Sequence, residues 1–228
     1  MNYQPLKKIY RKLKKRNISF NHVCEVGVYL PETSNIFDFI KDGVRATLVE
    51  ADPLAAEKIK DYFKDYKIEL FPVAVWDFNG TLKLSKAEGS TFVTALESSP
   101  AIINEKYKIS DENTIEVPCM VFSDIDDGTI DLLSVDVEGS EWYAIKHLKS
   151  RPAVISVETH GKYYTNPFIT EITNWMTREN YVSWYKDASD TIFVRKDIFL
   201  PNFNDKIDTR IAEYKLVWKK FKRIFKRK

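Results

Sequence analysis

Acidic side chains stand at four points where the sequence predicts that a buried strand ends. Glu25 and Glu50 follow short apolar runs in the first quarter of the chain, and Asp136 and Glu158 end two later runs. Carboxylates accept hydrogen bonds from hydroxyl and ammonium groups, hold divalent cations, or remove protons. One acid at a strand end means little. Four of them predict a ligand site where the carboxyl ends of neighbouring strands meet.

The elements that must position these acids alternate between strand and helix patterns. Six strands are predicted at 22–26, 45–51, 68–76, 115–122, 130–137 and 153–158, and four helices at 31–41, 52–66, 140–148 and 168–179. Two closing strands, 181–185 and 191–195, are joined by a link short enough for a hairpin. This order predicts an α/β fold with a mostly parallel sheet, a C-terminal antiparallel hairpin and helices on both faces. Such a layout is similar to the Rossmann-like sheet of class I methyltransferases.

The loop after the first strand resembles the E/D-x-G-x-x-x-G loop that binds S-adenosylmethionine. In that resemblance Glu25 reaches the amino group of the cofactor, Gly27 lets the backbone approach the ligand, and Val28 and Tyr29 follow in the same loop. Pro31 stands where the last glycine of the pattern is expected. A turn glycine after a buried strand would explain this fragment equally well if it stood alone.

Glu50 ends the second predicted strand, 23 residues after Gly27. A carboxylate there can bridge the two hydroxyls of a ribose. Ala51 beside it and Val75 at the end of the third strand complete the predicted cofactor contacts. Dinucleotide oxidoreductases share the acid but need a G-x-G-x-x-G loop, which is missing here.

The most specific string covers residues 130–141 and reads I-D-L-L-S-V-D-V-E-G-S-E. It resembles the hallmark I-D-x-x-K-x-D-x-E-G-x-E of the FkbM-type methyltransferases. The positions that match are Ile130, Asp131, Asp136, Glu138, Gly139 and Glu141, whereas Ser134 replaces the usual lysine. The segment 158–160, E-T-H, resembles the E-x-H of the family, and the likeness covers about residues 22–195.

The resemblance implies an S-adenosylmethionine-dependent O-methyltransferase that acts on a hydroxyl of a sugar, a glycan or a sugar-bearing metabolite. It implies that Asp136 contacts the cofactor. The polar stretch at Ser90 and Thr91 is similar to the substrate-side loop of the family, and Glu138 is assigned to the acceptor. Trp142 is a further candidate for the acceptor site because it lies beside the motif.

Methyl transfer to an alcohol requires that a proton be removed from a group of high pKa. Asp136, Glu158 and His160 are the candidate catalytic residues, since they end neighbouring strands of the predicted sheet. His160 is the best general base by its ordinary pKa. Alternatively, the same three side chains hold a divalent ion that acidifies the hydroxyl.

The formal charge of +2 conceals a segregation of charge along the chain. Residues 1–18 hold seven lysines and arginines and residues 215–228 hold eight, and neither segment has an acid. The remainder therefore has 20 of the 35 basic residues against all 33 acidic ones, a net charge of −13. Both basic segments carry apolar residues at helical spacing. They are predicted to be amphipathic helices that meet an anionic membrane surface, pack on the body, or grip RNA.

These patterns divide the chain into an N-terminal helix at 1–18, a methyltransferase domain at 19–200 and a C-terminal helix at 201–228. No apolar stretch is long enough to span a bilayer and no secretory signal is visible. Cys24 and Cys119 are predicted to be buried free thiols. We therefore expect a cytoplasmic protein, peripheral at the cytoplasmic face of a membrane, with a glycan acceptor that is lipid-linked. The alternatives are a nucleic-acid methyltransferase and a non-catalytic module with a degenerate cofactor loop.

Overall fold

A seven-stranded sheet forms the centre of the protein. The computed structural model describes residues 5–87 and 90–225. The strands of this sheet are β1 (His22–Val26), β2 (Arg45–Val49), β3 (Ile68–Phe71), β8 (Leu132–Val135), β9 (Val154–Glu158), β10 (Tyr181–Lys186) and β11 (Asp190–Arg195). They lie in the order β10-β11-β9-β8-β1-β2-β3. All neighbours are parallel except those of β11, which pairs antiparallel with both β9 and β10.

Helices cover both faces of this sheet, as the sequence predicted. They are α1 (Lys8–Lys14), α2 (Phe37–Lys41), α3 (Pro53–Tyr62), α4 (Glu141–Ile145), α5 (Ile169–Arg178) and α6 (Phe203–Phe225). Successive strand residues point to opposite faces. Leu132 packs in the core under α1–α3, whereas Leu133 packs in the core under α4 and α5. This alternation explains why β1, β8 and β9 are buried along their whole length and show no solvent-exposed face.

The helix predicted over 31–41 is shorter than expected. A single 3₁₀ turn spans Pro31–Thr33, and α2 begins only at Phe37. Ser34 and Asn35 break the helix because they turn toward Glu25 and bond its carboxylate. Asp52 caps α3 as predicted, and its Oδ1 accepts the amide of Leu54 at 2.9 Å.

The strand predicted over 68–76 is two strands in two sheets. β3 ends at Phe71, and β4 (Ala74–Trp76) joins a second sheet with β5 (Gly80–Lys86), β6 (Thr91–Val93) and β7 (Thr114–Val121). The order of this sheet is β4-β7-β5-β6. β4 and β5 are therefore both paired with β7 rather than with each other. The second sheet has a small core of its own, and Ala51, just after β2, packs against it.

The two terminal helices lie near each other at the β10 edge of the central sheet. The apolar residues of α1, Ile9 and Leu13, are buried in the central core. The N-terminal helix therefore packs on the body, which was one of the three alternatives predicted from the sequence. α6 packs along β10 and is joined to α1 by Asp205, which binds Lys12 and Arg16. None of the helices in the part of the chain described here is long and apolar enough to cross a membrane.

Candidate active site

A cavity of about 380 Å³ opens at the carboxyl ends of β1, β2 and β8, with one wall from the second sheet. Its volume lies within the usual range of ligand pockets, about 300–1,000 Å³. Most of the site residues predicted from the sequence line it: Glu25, Gly27, Val28, Tyr29, Glu50, Ala51, Val75, Ser90, Thr91, Asp136 and Glu138. Four of these are acids. Among the described lining residues there is no lysine, arginine or histidine.

Gly27 is required where β1 and β8 approach each other. Its φ is +84°, and a Cβ atom at this position would lie 1.8 Å from the carbonyl oxygen of Asp136. Two backbone hydrogen bonds fix this approach, from Gly27 N to Val49 O and from Asp136 N to Val26 O, each 2.9 Å long. The glycine therefore lets two strand ends meet beneath the cavity, in addition to any role toward the cofactor.

Glu25 is held in place by the segment that breaks the predicted helix. Its Oε1 accepts the amide of Asn35 at 2.8 Å, and its Oε2 accepts the hydroxyl of Ser34. Burial nevertheless raises its pKa to about 7. A cation bound nearby would favour the charged form of this acid, which suits the prediction that it faces an ammonium group.

Glu50 orders the loop that follows β1. Its Oε2 accepts the amides of Val28 at 3.1 Å and of Tyr29 at 2.7 Å, and its Oε1 accepts the amide of Asp52 at 2.8 Å. A carboxylate has about four acceptor positions. In this conformation of the loop, Glu50 therefore has one acceptor position left for a ribose hydroxyl. Its hydrogen bond to the amide of Tyr29 also supports the left-handed backbone of that residue, whose φ is +58°.

A clamp shapes the loop after β8. The Oε1 atom of Glu141 accepts the amides of Val137 at 3.0 Å and of Gly139 at 3.1 Å. Its Oε2 accepts the side-chain amide of Asn166, which also donates to the carbonyl of Glu158 at 3.1 Å. Glu138 stands inside the clamped turn at φ +56°. A left-handed glutamate is strained by about 1–3 kcal/mol, and the clamp supports it.

Glu138 is a cavity acid with a carboxylate oxygen available to a ligand. It lines the cavity, and its Oε2 atom is buried without a hydrogen-bond partner among the described residues. Burial, followed by repulsion from Glu141 and Glu105, raises its pKa to about 7. A carboxylate of this kind can accept a proton from an acceptor near neutral pH.

Three of the predicted site residues lie outside the lining of the cavity. Trp142, on α4, is half-buried and packs against the core on that face of the sheet. Glu158 is buried at the end of β9, where burial and the charge of Asp136 raise its pKa to about 12. His160 is also buried, with Nδ1 2.8 Å from Thr159 Oγ1 and Nε2 3.2 Å from the carbonyl oxygen of Asp187. The predicted catalytic role of His160 therefore has no support from this geometry.

The acids that could share a metal ion are Asp136, Glu141 and Glu158, whose nearest carboxylate oxygens lie within 4.8 Å of one another. The sequence grouped Asp136 and Glu158 with His160 instead. Within the described chain, the Glu158 Oε2 atom has no hydrogen-bond partner. Both oxygens of Glu141, however, already serve the clamp. Burial and neighbouring acids raise the pKa of Asp136 well above its usual range, so these groups can also share protons.

Sequence reasoning missed the residues that support the acids. Asn35 lines the cavity, and its side-chain amide donates to Ser134 Oγ at 3.1 Å and to Asp190 at 3.3 Å. Ser134, where the family pattern has lysine, is thus part of a polar network that includes the carboxyl group of Asp190. Asn166 lies outside any motif, and no local signal identifies it. Gly89, next to the predicted substrate loop, lies outside the described residues.

The free energy of unfolding of the ligand-free protein should fall as the pH rises from 5 to 8. Glu25, Glu138 and Glu141 have pKa values raised to about 7, so the folded state keeps protons that the unfolded chain has released above about pH 4.5. Glu138→Gln is neutral at every pH. The free energy of unfolding of this variant should differ least from that of the wild type at pH 5. At pH 8 it should be higher than that of the wild type by on the order of 2 kcal/mol. Urea denaturation measures this, and Glu116→Gln on exposed β7 is the control. If Glu116→Gln gains as much stability at pH 8 as Glu138→Gln does, the gain does not come from the raised pKa of Glu138.

The fold and the site together define a class of protein. Strand order, the closing antiparallel strand and an acid-lined cavity at the carboxyl strand ends are those of a class I S-adenosylmethionine-dependent methyltransferase. Residues 13–183 match the sequence profile of the FkbM methyltransferase domain. The chain belongs to the FkbM methyltransferase family, and S-adenosylmethionine is its cofactor. None of the curated proteins matches the sequence.

Solved structures of other methyltransferases resemble parts of the fold. The methyltransferase domain of bacterial CtHen1-C is 13% identical, with a TM-score of 0.43 over 82% of this chain and 93% of that one. The N-methyltransferase NodS from Bradyrhizobium japonicum is 12% identical, with a TM-score of 0.41 over 80% and 88%. A protein from Staphylococcus aureus described as a caffeoyl-CoA O-methyltransferase is 12% identical, with a TM-score of 0.43 over 82% and 80%. These likenesses are too distant to indicate a substrate.

Proposed function

We propose that the protein transfers a methyl group to a hydroxyl of a sugar, a glycan or a sugar-bearing metabolite. The observation that carries this proposal is the chemistry of the cavity, which is lined by four acids and, within the described chain, by no basic side chain. Acidic walls suit a cationic cofactor and a neutral, hydroxylated acceptor. They repel the phosphates of a nucleic acid, which disfavours the alternative of an RNA methyltransferase.

The acceptor end of the cavity is assigned to Glu138, Ser90 and Thr91. The hydroxyls of Ser90 and Thr91 are able both to donate to and to accept from the hydroxyls of a sugar. S-adenosylmethionine, when bound, supplies the methyl group as a sulfonium electrophile. Glu138 takes the proton of the acceptor hydroxyl on its unpartnered carboxylate oxygen, and Glu141 keeps it in position.

The cavity also argues against a non-catalytic module. Pro31 replaces a glycine of the cofactor loop, but it lies buried in the 3₁₀ turn and is not among the cavity-lining residues. Val28 and Tyr29, which precede it, still line the cavity. Calorimetric titration with S-adenosylmethionine tests this point, because a closed pocket would give no binding heat.

The proposed reaction is tested with methyl-labelled S-adenosylmethionine and a panel of acceptors. The panel contains hydroxylated glycosides, matched amino sugars and a short RNA, and mass spectrometry locates the label. We expect the label on an oxygen of a glycoside, before and after exhaustive chelation, because Glu138 can take the proton of the acceptor without a metal ion. Label on nitrogen or on RNA would overturn the proposal. Activity that disappears with chelation and returns with Mg²⁺ would assign Asp136 and Glu158 to a metal.

A further inference from the structure

The two sides of α6 differ in an unexpected way. The side that packs on the body carries Asp205, Thr209, Ala212 and Leu216, at a spacing of four, three and four residues. Thr209 donates to the carbonyl of Trp184 on β10 at 3.2 Å, and Asp205 binds Arg16 of α1 at 2.7 Å. Polar contacts of Asp205 and Thr209 thus hold the helix to the protein.

The large apolar residues of α6 lie on the opposite side. Tyr214 follows Asp205 by nine residues, which at 3.6 residues per turn is two and a half turns. We define the outer stripe as Phe203, Ile207, Ile211, Tyr214, Val217, Trp218 and Phe221, whose exposed fractions lie between 38% and 76%. Helices of globular proteins bury such a stripe. A continuous exposed stripe indicates a surface that meets a partner.

The charge of the segment indicates which partner. Residues 215–228 hold eight basic residues and no acid, while the middle of the chain has a net charge of −13. A second copy of α6 would bring like charges together. An RNA would match the charge but would leave Ile207, Ile211 and Val217 without an apolar environment. An anionic bilayer surface offers both negative headgroups and an apolar layer beneath them.

We propose that α6 binds the surface of an anionic lipid bilayer, with the outer stripe inserted below the headgroups and its basic residues among them. The helix would lie in the plane of the interface and would not cross it. The apolar residues of α1 take no part, because Ile9 and Leu13 are buried in the core. The polar inner side of α6 keeps the catalytic body attached to the membrane-bound helix.

The test uses the full chain and sedimentation with vesicles of phosphatidylcholine, with or without 30% phosphatidylserine, at low and high salt. The variant Ile211→Ser/Tyr214→Ser/Val217→Ser removes apolar side chains that are already exposed, so its thermal unfolding should match that of the wild type. Leu54→Ser is the control, because Leu54 is an equally exposed apolar residue on α3.

We expect the wild type and the control to bind the anionic vesicles, and salt to weaken this binding. The triple variant should bind on the order of tenfold less or weaker still. Equal binding of the triple variant would overturn the proposal, and so would binding to RNA but not to vesicles. A wild type that forms dimers, while the triple variant does not, would assign the outer stripe to a second copy. Methyl transfer to a short soluble acceptor should be equal in all three proteins, which separates this result from the proposed reaction.

Discussion

Gly27→Ala should destabilise the protein by about 4 kcal/mol or more, or prevent folding altogether, which places it among the most damaging single substitutions. The new Cβ would lie 1.8 Å from the carbonyl oxygen of Asp136. Neither strand can retreat easily, because hydrogen bonds hold Gly27 to Val49 and Asp136 to Val26. Urea denaturation gives the loss of stability, and calorimetry should show no cofactor binding by any folded fraction.

Gly43→Ala is the matched control for this experiment. Gly43 has nearly the same φ, +83°, but nothing lies within 4 Å of the position of its Cβ atom. An alanine there should cost about 1–2 kcal/mol, the penalty of the left-handed conformation alone. The difference between the two variants therefore measures the close approach of the strands. Equal losses would mean that the strand ends move apart cheaply and that Gly27 is kept only for its φ.

Glu138→Gln should lower kcat on the order of a hundredfold or more while the affinity for S-adenosylmethionine stays near that of the wild type. The amide has the size of the carboxyl group but cannot take a proton from the acceptor. The wild-type rate should rise with pH through about 7, the pKa to which burial raises Glu138. That rise should be absent from the residual activity of the variant. Steady-state rates across pH and a binding titration measure both effects.

Asp136→Asn and His160→Asn show which group carries the proton. Asp136 lines the cavity next to Glu138, so its loss should affect both binding and rate. His160 lies outside the lining, with both ring nitrogens near hydrogen-bond partners. Its replacement should lower kcat less than Glu138→Gln does. The opposite order, with full activity in Glu138→Gln, would return the role of the base to His160, which the sequence favoured.

The fold was predictable from the sequence to a large extent, because most of its central strands are short, mainly apolar runs of residues that are neighbours in the chain. The predicted strand at 22–26 is β1, and the closing hairpin is β10 and β11. The prediction of a single strand over 68–76 was wrong, because these residues form β3 and β4. Pro72 is a local signal for a break in this run, because proline cannot donate to a strand ladder. Only long-range pairing, however, sends Ala74–Trp76 to β7 in the second sheet.

The sequence predicted correctly those cavity residues that lie at or next to the carboxyl end of a strand. Glu25, Glu50, Asp136 and Glu138 all line the cavity. The supporting contacts were not predictable, because Asn166 and Glu141 are 25 residues apart in the chain. Glu141 belongs to the family string, yet its carboxylate faces backbone amides rather than the cavity. A motif therefore identifies an important residue without showing which atoms it contacts.

The sequence by itself determined the family, the cofactor and the acids at the strand ends, because each depends on residues that are neighbours in the chain. Only the tertiary structure decided that His160 lies outside the lining of the cavity, since side-chain direction at a strand end depends on what packs around it. It likewise decided the orientation of α6. Helical spacing shows that a helix has an apolar side, but contacts with β10 and α1 show that this side faces away from the protein.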